Sequence, residues 1–152
     1  MAFDICPLEP DSDRGTRRLL ALAGYLEQVP NDEYDHRTCR RTRSDGSRAM
    51  CALGHGVSAL PTVIGLRWRD ADSHDVVRLD GSGLTEHELD LVAEAFDLTE
   101  EDAAMIFGVG LNTVRFYGPQ GIYGLTPKAV AKAIRQFAHH RAATSVTEFG
   151  GA

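Results

Sequence analysis

The chain has 152 residues, 43% of them hydrophobic, a length and composition that suit one domain with its own core. No apolar run reaches the roughly 18 residues that a membrane-spanning helix needs, and the N-terminus lacks the basic start and apolar block of a signal peptide, so we expect a cytoplasmic protein. The net charge of −6 is unevenly distributed along the chain. Residues 70–113 hold twelve acids and one base, whereas the rest of the chain holds fifteen bases and ten acids. Such an anionic block disfavours a nucleic-acid ligand.

The N-terminal half is predicted to hold two helices joined by a polar connection. Residues 1–11 are expected to form an extended lead-in, and a helix with one apolar stripe is predicted from about Asp13 to Gln28. The polar connection Asn31–Gly46 follows. A second helix is predicted over Ser47–Leu60, with Ser47 as its N-cap. Because this helix is dense in glycine, alanine and serine, we expect it to lie at the centre of the fold.

The middle of the chain is predicted to form a hairpin and two helices. Thr62–Trp68 and His74–Leu79 each have the pattern of a short strand. Thr85 followed by Glu88 predicts the N-terminus of a third helix, since serine or threonine three residues before glutamate forms a capping box. Thr99 predicts a fourth helix, which ends near Phe107.

The C-terminal part is predicted to end in one long helix. Gly108–Gly124 is expected to be irregular or to hold one short helix. Thr126-Pro127 predicts the start of the last helix, because proline favours the first helical position. Residues 142–152 are expected to form a flexible tail.

These elements predict one domain over residues 1–152, an α+β fold that is mainly α-helical. We expect five to six helices around the small-residue helix, together with one short antiparallel hairpin. The residues expected at the centre are Leu53, Val57, Leu60, Leu89, Val92, Phe96, Ile106, Phe107, Val130, Ile134 and Phe137.

The order of four segments resembles a family of small bacterial and phage-borne proteins written around the string CALGWA or CIAGHA. The segments here are LLALAGYLEQVP, CALGHGVSALPTVIGLR, VAEAFDLTEEDAAMIFG and LTPKAVAKAIRQFA, and the likeness covers about Leu19 to Ala138. Relatives often carry a second cysteine before the one that matches Cys51, where this chain has Gly46–Met50. The resemblance implies the order of the helices and no activity.

Two histidines and two cysteines are spaced as metal ligands are. His36-x-x-Cys39 lies in the polar connection, and Cys51-x-x-x-His55 places its two side chains one helical turn apart. Two thiolates and two imidazoles are a tetrahedral zinc set. The alternative is that Cys51 packs as a small apolar residue, as buried cysteines commonly do. We expect no cofactor, and zinc is the one that the residues would support.

Cys51 is also a candidate nucleophile. Its position near a helix N-terminus would favour the thiolate, and His55 or His74 could serve as the base. This predicts a cysteine-dependent hydrolase, against the alternative of an inert buried thiol.

A third hypothesis concerns Glu101–Tyr117, where Ala104, Gly108 and Val114 have the offsets of a helix-turn-helix and Val114 is expected to pack inward. Its second helix would present Asn112, Thr113 and Arg115 to base edges in the major groove. The acids of the first helix oppose this use, and the alternative is a helical corner without DNA binding.

The function that we expect is a non-enzymatic binding or accessory protein whose partner is another protein. The divided charge suits pairing with a partner. The cysteine hydrolase and the DNA-binding regulator remain the alternatives.

Overall fold

The structure is a computed structural model that describes residues 13–37, 41–42, 48–71, 73–118, 122 and 124–150, with the backbone alone at 41–42, 48 and 144–150. The predicted fold class is confirmed: the protein is α+β and mainly α-helical. In these ranges the helices are α1 (Arg14–Leu26), α2 (Ala52–Ala59), α3 (Pro61–Ile64), α4 (Glu88–Phe96), α5 (Glu100–Phe107), α6 (Leu111–Tyr117) and α7 (Pro127–Gly150). The strands are β1 (Arg41–Thr42), β2 (Arg48–Ala49), β3 (Leu66–Trp68) and β4 (Val76–Arg78), and a 3₁₀ turn spans Asn31–Glu33.

Helix α1 forms where the sequence predicts it. The Asp13 carboxylate accepts a hydrogen bond from the Thr16 amide at 2.7 Å, which caps the helix N-terminus. Its apolar stripe is fully buried, and the helix packs against α7, α4, α2 and α3. Helix α1 therefore shares the centre of the fold with α2.

Helix α2 is shorter than predicted, and its predicted start at Ser47 is wrong. Arg48 and Ala49 belong to β2, which pairs antiparallel with β1, and Cys51 is the N-cap of the helix. Arg48 and Ala49 pair with β1, whereas a cap at Ser47 would have placed them in the first turn of α2. Ser47 itself lies outside the described residues.

The small residues of α2 do allow close packing, as predicted. Residues 52–57 are buried. A Cβ atom at Gly56 would lie 2.5 Å from Ile64 Cδ1 and 3.0 Å from Leu22 Cδ1, so only glycine fits between α1 and α3 without a shift.

The predicted hairpin is confirmed, with both strands shorter than predicted. Strands β3 and β4 pair antiparallel, and Trp68 lies opposite Val76. Residues 61–64 form α3 instead of strand, because Pro61 occupies the first helical position and Gly65, with φ 86°, ends the helix in the left-handed region.

The predicted capping box of α4 is wrong, whereas the caps of α5 and α7 are confirmed. Residues 84–86 form a turn, and the α4 N-cap is His87, whose Nδ1 accepts from the Leu89 amide at 3.2 Å. The Thr99 hydroxyl caps α5, and the Thr126 hydroxyl caps α7, each accepting a backbone N–H at 3.1 Å. Helix α7 continues to Gly150, beyond Arg141 where we expected it to end.

Three arginines from two helices bind the C-terminal carbonyls of α4. Arg14 donates to the Glu94 carbonyl at 3.2 Å, Arg18 to that of Ala95 at 2.8 Å, and Arg141 to that of Phe96 at 3.1 Å. The last carbonyls of a helix lack the usual amide partners, although that of Glu94 also accepts from the Asp97 amide at 3.4 Å, and cations are favoured at this end of the helix dipole. The end of α4 is thereby tied to α1 and α7.

Most of the predicted core is confirmed. Leu60, Leu89 and Phe137 are only partly buried, and the other predicted residues are buried. Among the described helices, none combines the length and the apolar character that crossing a membrane requires. The predicted lead-in over residues 1–11 lies outside the described residues.

Candidate functional site

Five polar side chains form a buried group where residues 31–37 meet α2 and α6, and we call it the Cys51 cluster. Its members are Tyr34, His36, Cys51, His55 and Tyr117. Tyr34 and His36 are joined by a hydrogen bond of 2.7 Å between the phenol and Nδ1. The edge of the His36 ring meets the Tyr117 ring, with centroids 5.2 Å apart. The cluster thus connects the polar connection after α1 to the end of α6.

His36 is 3% exposed, and its second ring nitrogen, Nε2, has no hydrogen-bond partner among the described residues. Burial lowers the pKa of His36 to about 4, and the Gly108 carbonyl and the Asp35 carboxylate oppose that change. The imidazole is therefore neutral at pH 7.

His55 ties residues 31–35 to α2. Its Nε2 donates to the Glu33 carbonyl at 2.7 Å, because a carbonyl oxygen can only accept. The ring stacks on Tyr34 with the two planes 8° apart. Burial lowers the pKa of His55, and the Glu33 carbonyl opposes that change.

Cys51 lies at the N-terminus of α2 and is 4% exposed. Its sulfur accepts a hydrogen bond from the Gly54 amide at 3.5 Å, a side-chain cap of the helix. Burial raises the pKa of both Tyr34 and Tyr117, and a negative charge on Cys51 would raise them further. The thiol is thus enclosed beside two phenols.

The zinc hypothesis remains a prediction. Cys39 lies outside the described residues. Within the part of the chain that the structure describes, no group of three histidine, cysteine, aspartate or glutamate side chains is placed to hold a metal. His36 and His55 use one nitrogen each on Tyr34 and Glu33.

The nucleophile hypothesis also remains a prediction, and the structure separates its residues by exposure. Cys51 is buried, whereas His74 is exposed in the loop before β4. The His55 Nε2 atom is engaged by the Glu33 carbonyl. At 4% exposure the Cys51 side chain is a poor nucleophile site for a substrate in solution.

The second candidate site lies between α5 and α6, which pack together as the sequence predicts. The fully buried Thr113 donates to the Ala104 carbonyl at 2.6 Å, and Tyr117 donates to the Ile106 carbonyl at 2.9 Å. These bonds use carbonyls at the C-terminus of α5 and fix the rotation of α6 about its axis. The opposite side of α6 therefore faces solvent.

Because of this rotation, the predicted DNA contact by Thr113 is wrong. Thr113 faces the core and cannot reach a base edge, while Asn112 and Arg115 are exposed. Val114, which we expected to face inward, is partly buried. The helix-turn-helix use of these helices remains a prediction.

A shallow groove runs between the exposed sides of the two helices, and we call it the α5–α6 groove. Its lining residues are Glu101, Asp102, Met105, Asn112, Arg115 and Phe116. Met105 and Phe116 are partly buried and form an apolar floor. A second hollow, lined by residues of α4, α5 and α6, shares Glu101 and Asn112 with the groove, so the two form a continuous surface.

Three comparisons with known proteins gave no relative. No family model, no curated protein and no solved structure matches this chain. The family resemblance indicated by the sequence therefore remains a prediction.

Proposed function

We propose that this protein binds another protein, and that the partner docks on the α5–α6 face, which comprises the α5–α6 groove with Val109 and Leu111. One observation carries the proposal: hydrogen bonds fix α6 from its buried side and turn a contiguous apolar segment outward. Leu111 is 65% exposed and Val109 56%, more than any other large hydrophobic side chain in the described part of the chain. Exposed apolar groups beside a polar groove are typical of protein interfaces.

The face is formed before any partner arrives. The Thr113 and Tyr117 hydroxyls hold α6 against α5. A Cβ atom at Gly108 would overlap the Ala104 carbonyl, so the tight turn between the two helices requires glycine at this position. A preformed surface binds with a smaller entropy cost than one that must be ordered.

The DNA-binding alternative is supported by exposed Asn112 and Arg115 and opposed by the charge around them. Among the described residues that line the groove Arg115 is the one base, and Glu101 and Asp102 line the opposite, α5 side. A phosphate backbone at this face would meet more negative than positive charge. A protein partner therefore fits better.

The proposal is tested by site-specific crosslinking. A photoreactive amino acid in place of Leu111 is expected to crosslink to one identifiable protein in cells, whereas the same group at Leu79, which is 44% exposed, is not. The partner, purified, should bind this protein in solution. Identical products from both positions would contradict the proposal. Binding of duplex DNA at low salt that depends on Asn112 and Arg115 would contradict it as well.

A further inference from the structure

We infer that the partner contacts the α5–α6 face with a positively charged amphipathic segment, rich in lysine or arginine, whose apolar side chains enter the groove between Met105 and Phe116. This inference rests on the proposed docking face and adds the chemistry of its occupant. It is carried by the charges of the face and by the apolar surface between them.

The two acids that line the groove, Glu101 and Asp102, have no counter-ion in the described part of the chain, whereas several neighbouring acids do. Arg78 binds Glu86 at 2.6 Å and Glu94 at 2.8 Å. Arg14 binds Asp97 at 2.7 Å. By contrast, no described residue forms an ion pair with Glu101 or Asp102, or with Asp90 and Glu100 of the adjoining hollow.

Negative charge continues beyond the two acids of the groove. Glu100, Glu101 and Asp102 occupy the first turn of α5, and Asp90 and Glu100 line the adjoining hollow. A cationic segment would meet this charge on both sides of α5, and the attraction would also speed association. The charge therefore selects a basic occupant.

The apolar floor of the groove requires an occupant with apolar side chains as well as positive charge. Met105 of α5 and Phe116 of α6 supply apolar surface to the groove. Methionine adapts its shape to different apolar side chains. A purely polar basic chain would leave this floor exposed, together with Leu111, so an amphipathic segment fits both features.

Arg115 sets the orientation of the occupant. It lines the α6 side of the groove, opposite Glu101 and Asp102 on α5. Basic side chains of the occupant should therefore lie over α5, and its polar or acidic side chains near Arg115 and Asn112.

The test uses three synthetic amphipathic peptides with leucines on one side and lysine, glutamine or glutamate on the other. The full-length protein is titrated with each peptide at low ionic strength, and backbone amide shifts locate the binding surface. We expect the lysine peptide to perturb α5 and α6, and its affinity to fall as salt is added. The glutamate peptide should not bind.

Matched charge-reversal variants separate the face from the general negative charge of the protein. Glu101→Lys should weaken binding of the lysine peptide about tenfold. Glu33→Lys makes the same change in net charge at an exposed residue of the 3₁₀ turn, and should weaken binding less than about twofold. Circular dichroism shows whether each variant is folded.

Each remaining outcome decides the inference. Equal binding of the glutamine peptide at α5–α6 would leave the docking face standing and overturn its charge chemistry. Equal loss in both variants, or shifts away from α5 and α6, would overturn the inference, while crosslinking from Leu111 still decides the proposed function. Self-association that requires Glu101 would make a second copy of the chain the occupant, and would also overturn it.

Discussion

Arg141 in α7 donates a hydrogen bond of 2.8 Å to the hydroxyl of Thr16 in α1, a residue 125 positions earlier in the chain. The same guanidinium donates to the carbonyls of Phe96 and Asp97 at the end of α4. One side chain therefore joins three helices at a partly buried position.

Replacing Arg141 tests how much this junction stabilises the fold. Arg141→Ala should lower the free energy of unfolding by about 2–3 kcal/mol, because it leaves buried acceptors without a donor. Arg135→Ala is the control, since Arg135 pairs with Glu27 at an exposed position and such pairs contribute less than about 1 kcal/mol. Urea denaturation measures both. Equal losses would show that the junction at Arg141 is no stronger than a surface ion pair.

Stability should fall with acid through His36. Its pKa is lowered from 6.5 to about 4 in the folded protein, so between these values the unfolded chain binds the extra proton. Unfolding is therefore favoured as the pH drops from 6.5 towards 4, by up to about 3 kcal/mol, and the buried His55 acts in the same direction.

The pH dependence of unfolding checks this assignment. His36→Gln should flatten the change in unfolding free energy between pH 6.5 and 4, a window above that of the paired carboxylates. An unchanged slope in the variant would mean that His36 is not the buried neutral imidazole that the structure describes.

Two glycines in adjacent helices should respond to alanine in opposite directions. Gly56→Ala should destabilise the protein by about 1–3 kcal/mol, because the added methyl group meets Ile64 and Leu22. Gly24→Ala should stabilise it by about 0.5–1 kcal/mol, because the new Cβ meets only the Arg135 guanidinium, at 3.7 Å, and alanine favours a helix. Thermal denaturation of the two variants shows whether each substitution raises or lowers the stability. A stabilising Gly56→Ala would contradict the close packing of α2.

The rotation of α6 predicts a difference between neighbouring residues. Thr113→Val should cost about 1–2 kcal/mol, since it removes the bond to the Ala104 carbonyl inside the protein. Asn112→Ala should change the unfolding free energy by less than about 0.5 kcal/mol, because Asn112 is exposed. A larger loss of unfolding free energy for Asn112→Ala than for Thr113→Val would mean that α6 presents Thr113 to solvent, as a DNA-binding helix would.

The elements that could be predicted from sequence are those whose ends depend on local residues. Asp13, Thr99 and Thr126 cap helices at the predicted places, because a side-chain cap needs only the next three residues. The start of α2 was missed since β1–β2 pairing, a longer-range interaction, takes residues 48–49. At α4 the chain uses His87 in place of Thr85 because residues 84–86 form a turn.

The candidate sites were less predictable than the fold. The spacing of His36, Cys51 and His55 drew attention to the right region, and the three residues do share a cluster. Tyr34 and Tyr117 were missed because α6 brings Tyr117 against His36 through tertiary packing that no local pattern encodes. The one available signal was the alternation of Tyr34 and His36, which places both side chains on one side of an extended segment. In α6, a helix of seven residues, periodicity was too short to distinguish Val114 from Thr113 as the buried residue.

The proposed docking face is tested most directly by the affinity of the partner identified by crosslinking for two variants of the protein. Leu111→Asp places a charge on the α5–α6 face, and Leu79→Asp places one in the turn after β4, at another exposed leucine. We expect Leu111→Asp to weaken binding at least about tenfold and Leu79→Asp to leave it unchanged. Equal affinities for both variants and the unaltered protein would contradict the proposed docking face.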